Sequence, residues 1–392
     1  AVVLGTLLGA PAARADQPFD AWLAGLRAEA LQKGISQATV DAALGQVETV
    51  PRVLELDRYQ PEFTRTFWAY LTKRITDTRI ERARKLLADN RALLEKVRAK
   101  YGVQPRYLVA FWALESNFGD YTGVFPLFGA LATLAHDARR ADFFRGELLA
   151  ALKLMDRGEV STATKASWAG AMGQCQFIPT TYVAHAVDFD GDGKRDLWNS
   201  LPDIFASAAN YLAKSGWDGN RTWGREVKLP QGFDLDLADV NRPRKLAEWQ
   251  TLGVRRADGR DLPRVDVEGA VILPSGADGP AFLVYRNYHA IMAWNRAMLY
   301  AIAVGHLSDR IAGQGPLLAP RPKNEVALSR DDVMTIQKGL VAAGFDPGTP
   351  DGVIGAMTRK AVRAFQKSRN LPADGYPDKD LLDFMTAGGG KG

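Results

Sequence analysis

The sequence predicts a mainly helical α+β protein: a helical core carrying a small β insert, followed past a linker by a separate three-helix domain. Three observations carry that expectation. From Asp16 to about Ser215, apolar residues recur at helical spacing, with Gly and Pro at the boundaries. From about Glu226 to Tyr288, short apolar or alternating pieces sit between Gly, Pro and Asp turns. The stretch from Ala312 to Pro322 is rich in Pro and Gly and reads as a linker. At 392 residues the chain exceeds one comfortable core, so two or three domains are expected.

At the N-terminus, Ala1 to Ala10 is a short apolar run, and Ala13-Arg14-Ala15 before Asp16 has the small-x-small form of a signal-peptidase site. Residues 1–15 read as a partial signal peptide lacking its basic front, which makes the protein an exported one. The run is too short to span a bilayer, and no later stretch is long and apolar enough to do so. No cysteine stands at the cleavage site, so no lipid anchor is expected there, and the expected form is a soluble monomer. A net charge of +5, spread along the chain rather than in blocks, argues weakly for an anionic partner and does not by itself suggest nucleic acid, and none is expected as a partner. Cys175 is the only cysteine, which excludes an intrachain disulfide. None of the four histidines stands in a nucleophile motif, so Cys175 reads as a packed residue.

Pro105 suits the first turn of a helix, and Leu108, Phe111, Trp112 and Glu115 fall on one stripe of it. The opposite face (Tyr107, Ala110, Leu114, Phe118) is apolar too, so Glu115 is a carboxylate in a segment that should be buried. Two readings follow: a proton donor whose pKa is raised by burial, or a buried Glu satisfied by backbone N–H groups or an Arg. Farther on, Ser167-Trp-Ala-Gly-Ala-Met-Gly-Gln-Cys-Gln-Phe-Ile-Pro-Thr180 combines small residues, neutral donors and acceptors (Ser167, Gln174, Gln176) and flat rings (Trp168, Phe177 and nearby Tyr182). That mixture suits a groove for a sugar polymer, and it suits a tight helix-packing turn.

Asp188-Phe-Asp190-Gly-Asp192-Gly193-Lys194 matches the first half of an EF-hand loop, with oxygen ligands at alternate positions, Gly at the sixth and a backbone carbonyl from Lys194. The twelfth position is Asn199, not a bidentate Glu. Bound calcium or an Asp/Gly-rich turn are the two readings; three carboxylates at this spacing repel unless neutralised, which favours calcium. In the insert, Ala270-Val-Ile-Leu273 and Ala281-Phe-Leu-Val-Tyr285 read as strands, and helix resumes from Ala293 through Ala303. In the tail, Val333 to Ala343 and Met357 to Arg369 read as helices, the second presenting Ala361, Ala364 and Phe365 on one face, with Asp-Gly turns at Asp351 and Asp374.

Glu-Ser-Asn-Phe-Gly at 115–119 followed by Gly-Ala-Met-Gly-x-x-Gln-Phe-Ile-Pro at 170–179 resembles the B-type membrane-bound lytic murein transglycosylases, bacterial enzymes with a lysozyme-like core. The resemblance runs from about Phe19 to Ile311. The tail, with Ile336-Gln337, Gly344-Phe345, Asp351-Gly352, Thr358, Ala361-Val362 and Phe365-Gln366, looks like a peptidoglycan-binding domain. The resemblance implies peptidoglycan glycan strands as partner, a periplasmic location and no organic cofactor. It implies that Glu115 is the sole acid/base: it protonates the glycosidic oxygen between N-acetylmuramic acid and N-acetylglucosamine, then takes the proton of the muramic acid C6 hydroxyl to give a 1,6-anhydro product. A hydrolytic glycosidase would use a second carboxylate, and neither Asp120 nor Asp137 occupies a motif position. The groove residues carried over are Ser167, Gln176, Tyr211, Asn295 and Tyr300, with Trp294 where a tyrosine is expected and Trp168 where a phenylalanine is. Gln174 departs from the tyrosine of the best-known member. Family members bind Ca2+ with a carboxylate beyond the loop, which here is Asp203, with Asp196 as the alternative. The rival readings are a hydrolytic muramidase and a non-catalytic wall-binding scaffold.

Overall fold

A computed structural model describes residues 17–58, 65–321 and 326–387, so residues 1–15, expected to be a partial signal peptide, lie outside the described residues. The fold is mainly helical α+β, as the sequence predicts. Its helices are α1 (Phe19–Gln32), α2 (Gln37–Leu44), α3 (Pro51–Arg58), α4 (Phe67–Arg74), α5 (Asp77–Asp89), α6 (Arg91–Tyr101) and α7 (Pro105–Ser116). There follow β1 (Phe125–Pro126), α8 (Leu127–His136), α9 (Ala141–Asp156), β2 (Lys165–Ala166), α10 (Pro179–His185) and α11 (Leu201–Lys214). The insert holds β3 (Gly224–Lys228), β4 (Arg244–Lys245), α12 (Leu246–Thr251), β5 (Arg255–Arg256), β6 (Glu268–Ile272) and β7 (Ala281–Val284). Last come α13 (Arg286–Trp294), α14 (Met298–Ile311), α15 (Arg330–Ala342), α16 (Ala356–Ser368) and α17 (Lys379–Thr386).

Local chemistry sets the helix ends. Ser36, Thr66 and Thr76 accept the N–H three residues on and so cap α2, α4 and α5. Gly102, in the left-handed region at φ 75°, stops α6. Ser329 and Asp332 form a reciprocal capping box on α15.

Two compact units emerge. The first holds residues up to 58 and 115–208. Its axis is α8, buried along Leu127–Ala135, which packs along α9 with α1, α2, α3 and α10 around the pair. Asp57, 4% exposed, accepts from both Arg139 and Arg140 and ties α3 to the α8–α9 turn; a charge this buried needs such pairing. Glu147 on α9 accepts the Thr180 N–H (2.9 Å) and hydroxyl (2.6 Å), which fixes the start of α10. Its pKa is raised, chiefly by burial.

The second unit holds residues 65–114 and those from 209 onward, with α14 buried at its centre against α4, α5 and α13. Gly305 on α14 lies against the Trp223 ring, where any Cβ would collide. The insert is an antiparallel sheet in the order β4-β6-β7-β3-β5 over a core that includes Leu246, Trp249, Val271 and Leu283. The tail helices α15, α16 and α17 close on Val333, Ile336, Leu340, Val362, Phe365 and Leu381.

Two expectations change. The helix expected across Ala293–Ala303 breaks at 295–297, because Asn295 turns extended and its Oδ1 accepts the Ala297 N–H at 3.0 Å. In α16, Ala361, Val362 and Phe365 are buried while Ala364 is exposed, since 364 falls outside the arc those three define.

The tail is also bonded to the insert. Arg363 Nη2 donates to the Ala238 carbonyl (2.9 Å), the Ala277 N–H donates to Asp374 Oδ2 (2.9 Å), and Lys367 pairs with Asp236. Gly276 at φ 82° leaves room for Asp374 and Tyr376.

Candidate active site

Glu115 occupies the last turn of α7. Asn117, Phe118 and Gly119 follow in left-handed backbone, at φ 51°, 64° and 90°. A bulky residue such as Phe118 is uncommon in that region, and three in succession turn the chain sharply away from the helix. The Ser116 carbonyl accepts the Tyr121 N–H (2.9 Å) and its hydroxyl the Gly119 N–H (3.1 Å), which closes the turn. Glu115 is half-buried, less enclosed than its apolar stripe implies, because it stands where the helix ends. Its charge acts on Cys175, whose thiol is pushed well up by burial first and by Glu115 second. A thiol so held is packing, not a nucleophile.

The Gly-Ala-Met-Gly block makes a tight hairpin within the same unit, with Met172 and Phe177 exchanging backbone hydrogen bonds at 2.9 and 3.1 Å. Its glycines answer to close approach. A Cβ on Gly170 would lie 2.5 Å from Leu131, and one on Gly173 2.6 Å from the Leu197 carbonyl oxygen. Ser167 Oγ accepts the Ala169 and Ala171 N–H groups at 3.3 and 3.0 Å. Gln176, left-handed at φ 51°, donates from Nε2 to the Gly173 carbonyl (2.9 Å) and the Thr122 carbonyl (3.3 Å). Ser167, Trp168 and Gln176 are half-buried, whereas Phe177 and Tyr182 are core. The two core rings therefore offer no ligand surface. Gln174 donates to the Trp198 carbonyl at 2.5 Å and packs against Gly119, where a Cβ would come 2.5 Å from its Oε1. The Glu115 turn and the hairpin are thus fitted to each other through Gly119, a contact that spacing along the chain does not reveal.

Beyond the hairpin, one ligand oxygen from each of Asp188, Asp190 and Asp203 lies within 4.8 Å of the others. Asp203, in the first turn of α11, is fully buried and its pKa is raised, chiefly by burial. The Asp192 and Asp196 carboxylates are not part of this cluster. Asp192 Oδ1 accepts the Lys194 N–H at 2.8 Å, and Asp196 caps its own turn by accepting the Trp198 and Asn199 N–H groups. Oxygen donors of this type and number suit a hard divalent cation such as calcium.

The second unit holds an aromatic cluster built on Phe111. The Phe111 ring lies 4.6 Å from Trp294 and 6.3 Å from Tyr300, and Trp294 lies 4.9 Å from Tyr211. The Tyr211 hydroxyl donates to the Ala293 carbonyl (2.7 Å), and burial raises its pKa. Trp294, Asn295 and Tyr211 stay half-buried while Tyr300 is buried. Phe111 had only a core role in the sequence; its place under Trp294 emerges from the fold.

Residues 18–309 match the family described as Transglycosylase SLT domain, and residues 329–385 match the Putative peptidoglycan binding domain. The Membrane-bound lytic murein transglycosylase B of Escherichia coli (strain K12) is 34% identical over 221 residues, 54% of this chain and 58% of that protein, so the match spans little more than half the relative's length. SltB3 from Pseudomonas aeruginosa, solved in complex with NAG-anhNAM-pentapeptide, is 46% identical with a TM-score of 0.89 over 94% of this chain and 100% of that one. Escherichia coli Slt35, solved in complex with calcium, is 26% identical with a TM-score of 0.63 over 76% of this chain and 93% of that one. The chain belongs to the Transglycosylase SLT domain family, as a B-type member with a peptidoglycan-binding domain behind it.

Proposed function

We propose that the protein is a lytic transglycosylase that cleaves the β-1,4 bond from N-acetylmuramic acid to N-acetylglucosamine in peptidoglycan, with Glu115 as acid and then base. Protonated Glu115 gives its proton to the bridging oxygen as the C1–O bond breaks. The carboxylate so formed takes the proton of the muramic acid C6 hydroxyl as O6 bonds to C1, closing the anhydro ring and restoring the acid. No water is consumed. The observation that carries this reading is the setting of the one motif carboxylate. The two nearest downstream of it occupy no motif position and are bonded locally: Asp120 accepts from Asn117 Nδ2 at 2.7 Å, and Asp137 accepts the Arg139 N–H at 3.1 Å. Hydrolysis by the usual two-carboxylate route would need such a partner. The anhydro sugar in the SltB3 complex supports the same product class.

Ser167, Trp168 and Gln176 would hold sugar in the first unit, and Tyr211, Trp294 and Asn295 in the second, with the buried Tyr300 supporting the cluster through Phe111. Asp188, Asp190 and Asp203, with the Lys194 carbonyl, would hold calcium as a structural clip. The catalytic part covers residues 16–311 with its insert at about 226–288, the linker 312–328 and the wall-binding tail 329–387. Residues 1–15 would direct export to the periplasm. No helix among the described residues is long and apolar enough to cross a membrane.

Mass spectrometry of muropeptides released from purified wall tests the reading. Anhydro ends, lighter by one water than reducing ends, are expected, and Glu115→Gln should lower their release by about two orders of magnitude or more while leaving the melting temperature unchanged. Reducing ends would instead identify a muramidase, and full turnover by the variant would remove Glu115 from the chemistry.

A further inference from the structure

The two most exposed large apolar side chains among the described residues lie in one short loop just past the acid: Tyr121 at 71% and Val124 at 76%. Apolar side chains scattered singly over a surface need no explanation, but a pair at the rim of a ligand site does.

Their exposure is not slackness of the loop. The Tyr121 N–H donates to the Ser116 carbonyl at 2.9 Å, at the end of the helix that carries Glu115. The Thr122 carbonyl accepts from Gln176 Nε2 at 3.3 Å. Gly123, at φ 118°, lies so close to Ala166 that a Cβ there would come 2.1 Å from its carbonyl carbon. From Phe125 the chain pairs with β2, Phe125 opposite Ala166 and Pro126 opposite Lys165. The backbone is tied down along its length and holds both side chains in solvent.

The same ties set the pair beside the sugar-binding candidates of the first unit. Continued by one residue, the β1–β2 register sets Val124 opposite Ser167. Alternation then puts these two on the ribbon face of exposed Pro126 and Lys165, away from buried Ala166. The loop is thus anchored next to the acid at one end, on Gln176 in the middle and opposite Ser167 at the other. A planar ring held in solvent there offers a pyranose the flat surface on which its C–H face stacks, and the phenol hydroxyl can bond a sugar hydroxyl. A branched aliphatic side chain nearby suits the methyl of an N-acetyl group, which both sugars of this polymer carry. Lys165 would suit a peptide carboxylate, but the pair itself is uncharged and favours the sugar.

We infer that Tyr121 and Val124 form a further sugar subsite beside Glu115, with Tyr121 stacking on one pyranose ring of the glycan strand and Val124 packing an N-acetyl methyl. This subsite rests on the glycan substrate proposed above, and neither residue belongs to the Glu115 motif or to the Gly-Ala-Met-Gly block.

Calorimetric titration of the full chain carrying Glu115→Gln with chitotetraose reads glycan binding without turnover. Adding Tyr121→Ala should weaken the Kd about tenfold, and adding Val124→Ser about threefold. Tyr121→Phe keeps the ring and should lose no more than about twofold. With Glu115 intact, Tyr121→Ala should raise KM on soluble, peptide-bearing glycan strands by about tenfold and leave kcat within about twofold, as loss of uniform binding requires. Both positions are exposed, so melting temperatures should not move. An unchanged Kd in Tyr121→Ala, an equal loss in Tyr121→Phe, or no saturable binding of chitotetraose up to about 10 mM would each overturn the subsite. So would a KM that rises on peptide-bearing strands while chitotetraose binding stays the same, which would give the pair to the stem peptide. The released ends report on Glu115 separately. Anhydro ends with unchanged chitotetraose binding sink the subsite alone, and reducing ends sink the transglycosylase reading alone.

Discussion

Gly119 shows what a single residue does for this site. It is left-handed at φ 90°, and a side chain there would strike Gln174. The clash is with the far end of a flexible side chain and can be relieved, whereas the backbone strain cannot. Gly119→Ala should therefore cost about 1–2 kcal/mol in urea unfolding. Adding Gln174→Ala should recover part of that loss, so the double variant is less destabilised than the sum of the singles. Strict additivity would mean that the turn and the hairpin are not fitted together.

Asp309 allows a prediction with a definite sign. Burial first, opposed by the Trp223 hydrogen bond and the Arg106 and Arg225 charges, pushes its pKa up to about 6. The folded value exceeds the unfolded one, so the native state holds the proton more tightly. The stabilisation is complete below about pH 4 and is lost as pH rises through about 6. Asp309→Asn cannot titrate. Its stability relative to wild type should rise by about 2 kcal/mol between pH 4 and pH 7.5, read from urea melts at both pH values. A difference that does not change with pH would contradict the assignment. Buried His306 carries the opposite sign, since burial lowers it to about 4, and it is common to both proteins and cancels in the comparison.

At the scale of the element, the loop leading into α11 is an acidic turn whose carboxylates mostly satisfy backbone N–H groups. Asp188 accepts from the Gly191 and Gly193 N–H groups at 2.6 and 2.9 Å, and Asp203 accepts from those of Phe189 and Asp196 at 2.7 and 2.9 Å. Such a loop is shaped before any ion arrives, and calcium bound only by the folded state should raise the melting temperature. Asp190→Ala or Asp203→Asn should abolish the difference between melts in calcium and in chelator. Asp192→Asn should keep most of it, because Asp192 is turned to the Lys194 N–H. Melts that coincide at millimolar calcium would leave a turn and no metal site.

For the molecule as a whole, the wall-binding domain is hydrogen-bonded to the insert through Arg363, Asp374 and Lys367 rather than attached by the linker alone. Tethering to an insoluble substrate raises the enzyme's local concentration there. Removing 329–387 should weaken sedimentation with insoluble wall and slow its digestion, while cleavage of short soluble glycans continues. The truncated protein should also melt lower, since the insert loses those bonds. Undiminished sedimentation would assign attachment to the catalytic part. In the tail, Phe345 contacts the Phe365 ring at 5.7 Å and packs against the three-helix core.

The chain alone determined what depends on local pattern. Helical spacing marked the long helices, short apolar runs between turn residues marked β6 and β7, and Pro/Gly content marked the start of the tail. The motif around Glu115 and the Gly-Ala-Met-Gly block were legible because each chemical role needs a fixed residue type at a fixed short distance. Tertiary structure decided the rest. Whether Ala364 is buried, whether Tyr182 is surface or core, and that Asp203 joins Asp188 and Asp190 while Asp192 does not, all depend on which distant segment lies alongside. Gly119 against Gln174, and Asp309 below Trp223, are contacts between residues far apart in sequence. No periodicity encodes such pairs, because packing selects them only once the helices and the sheet have closed.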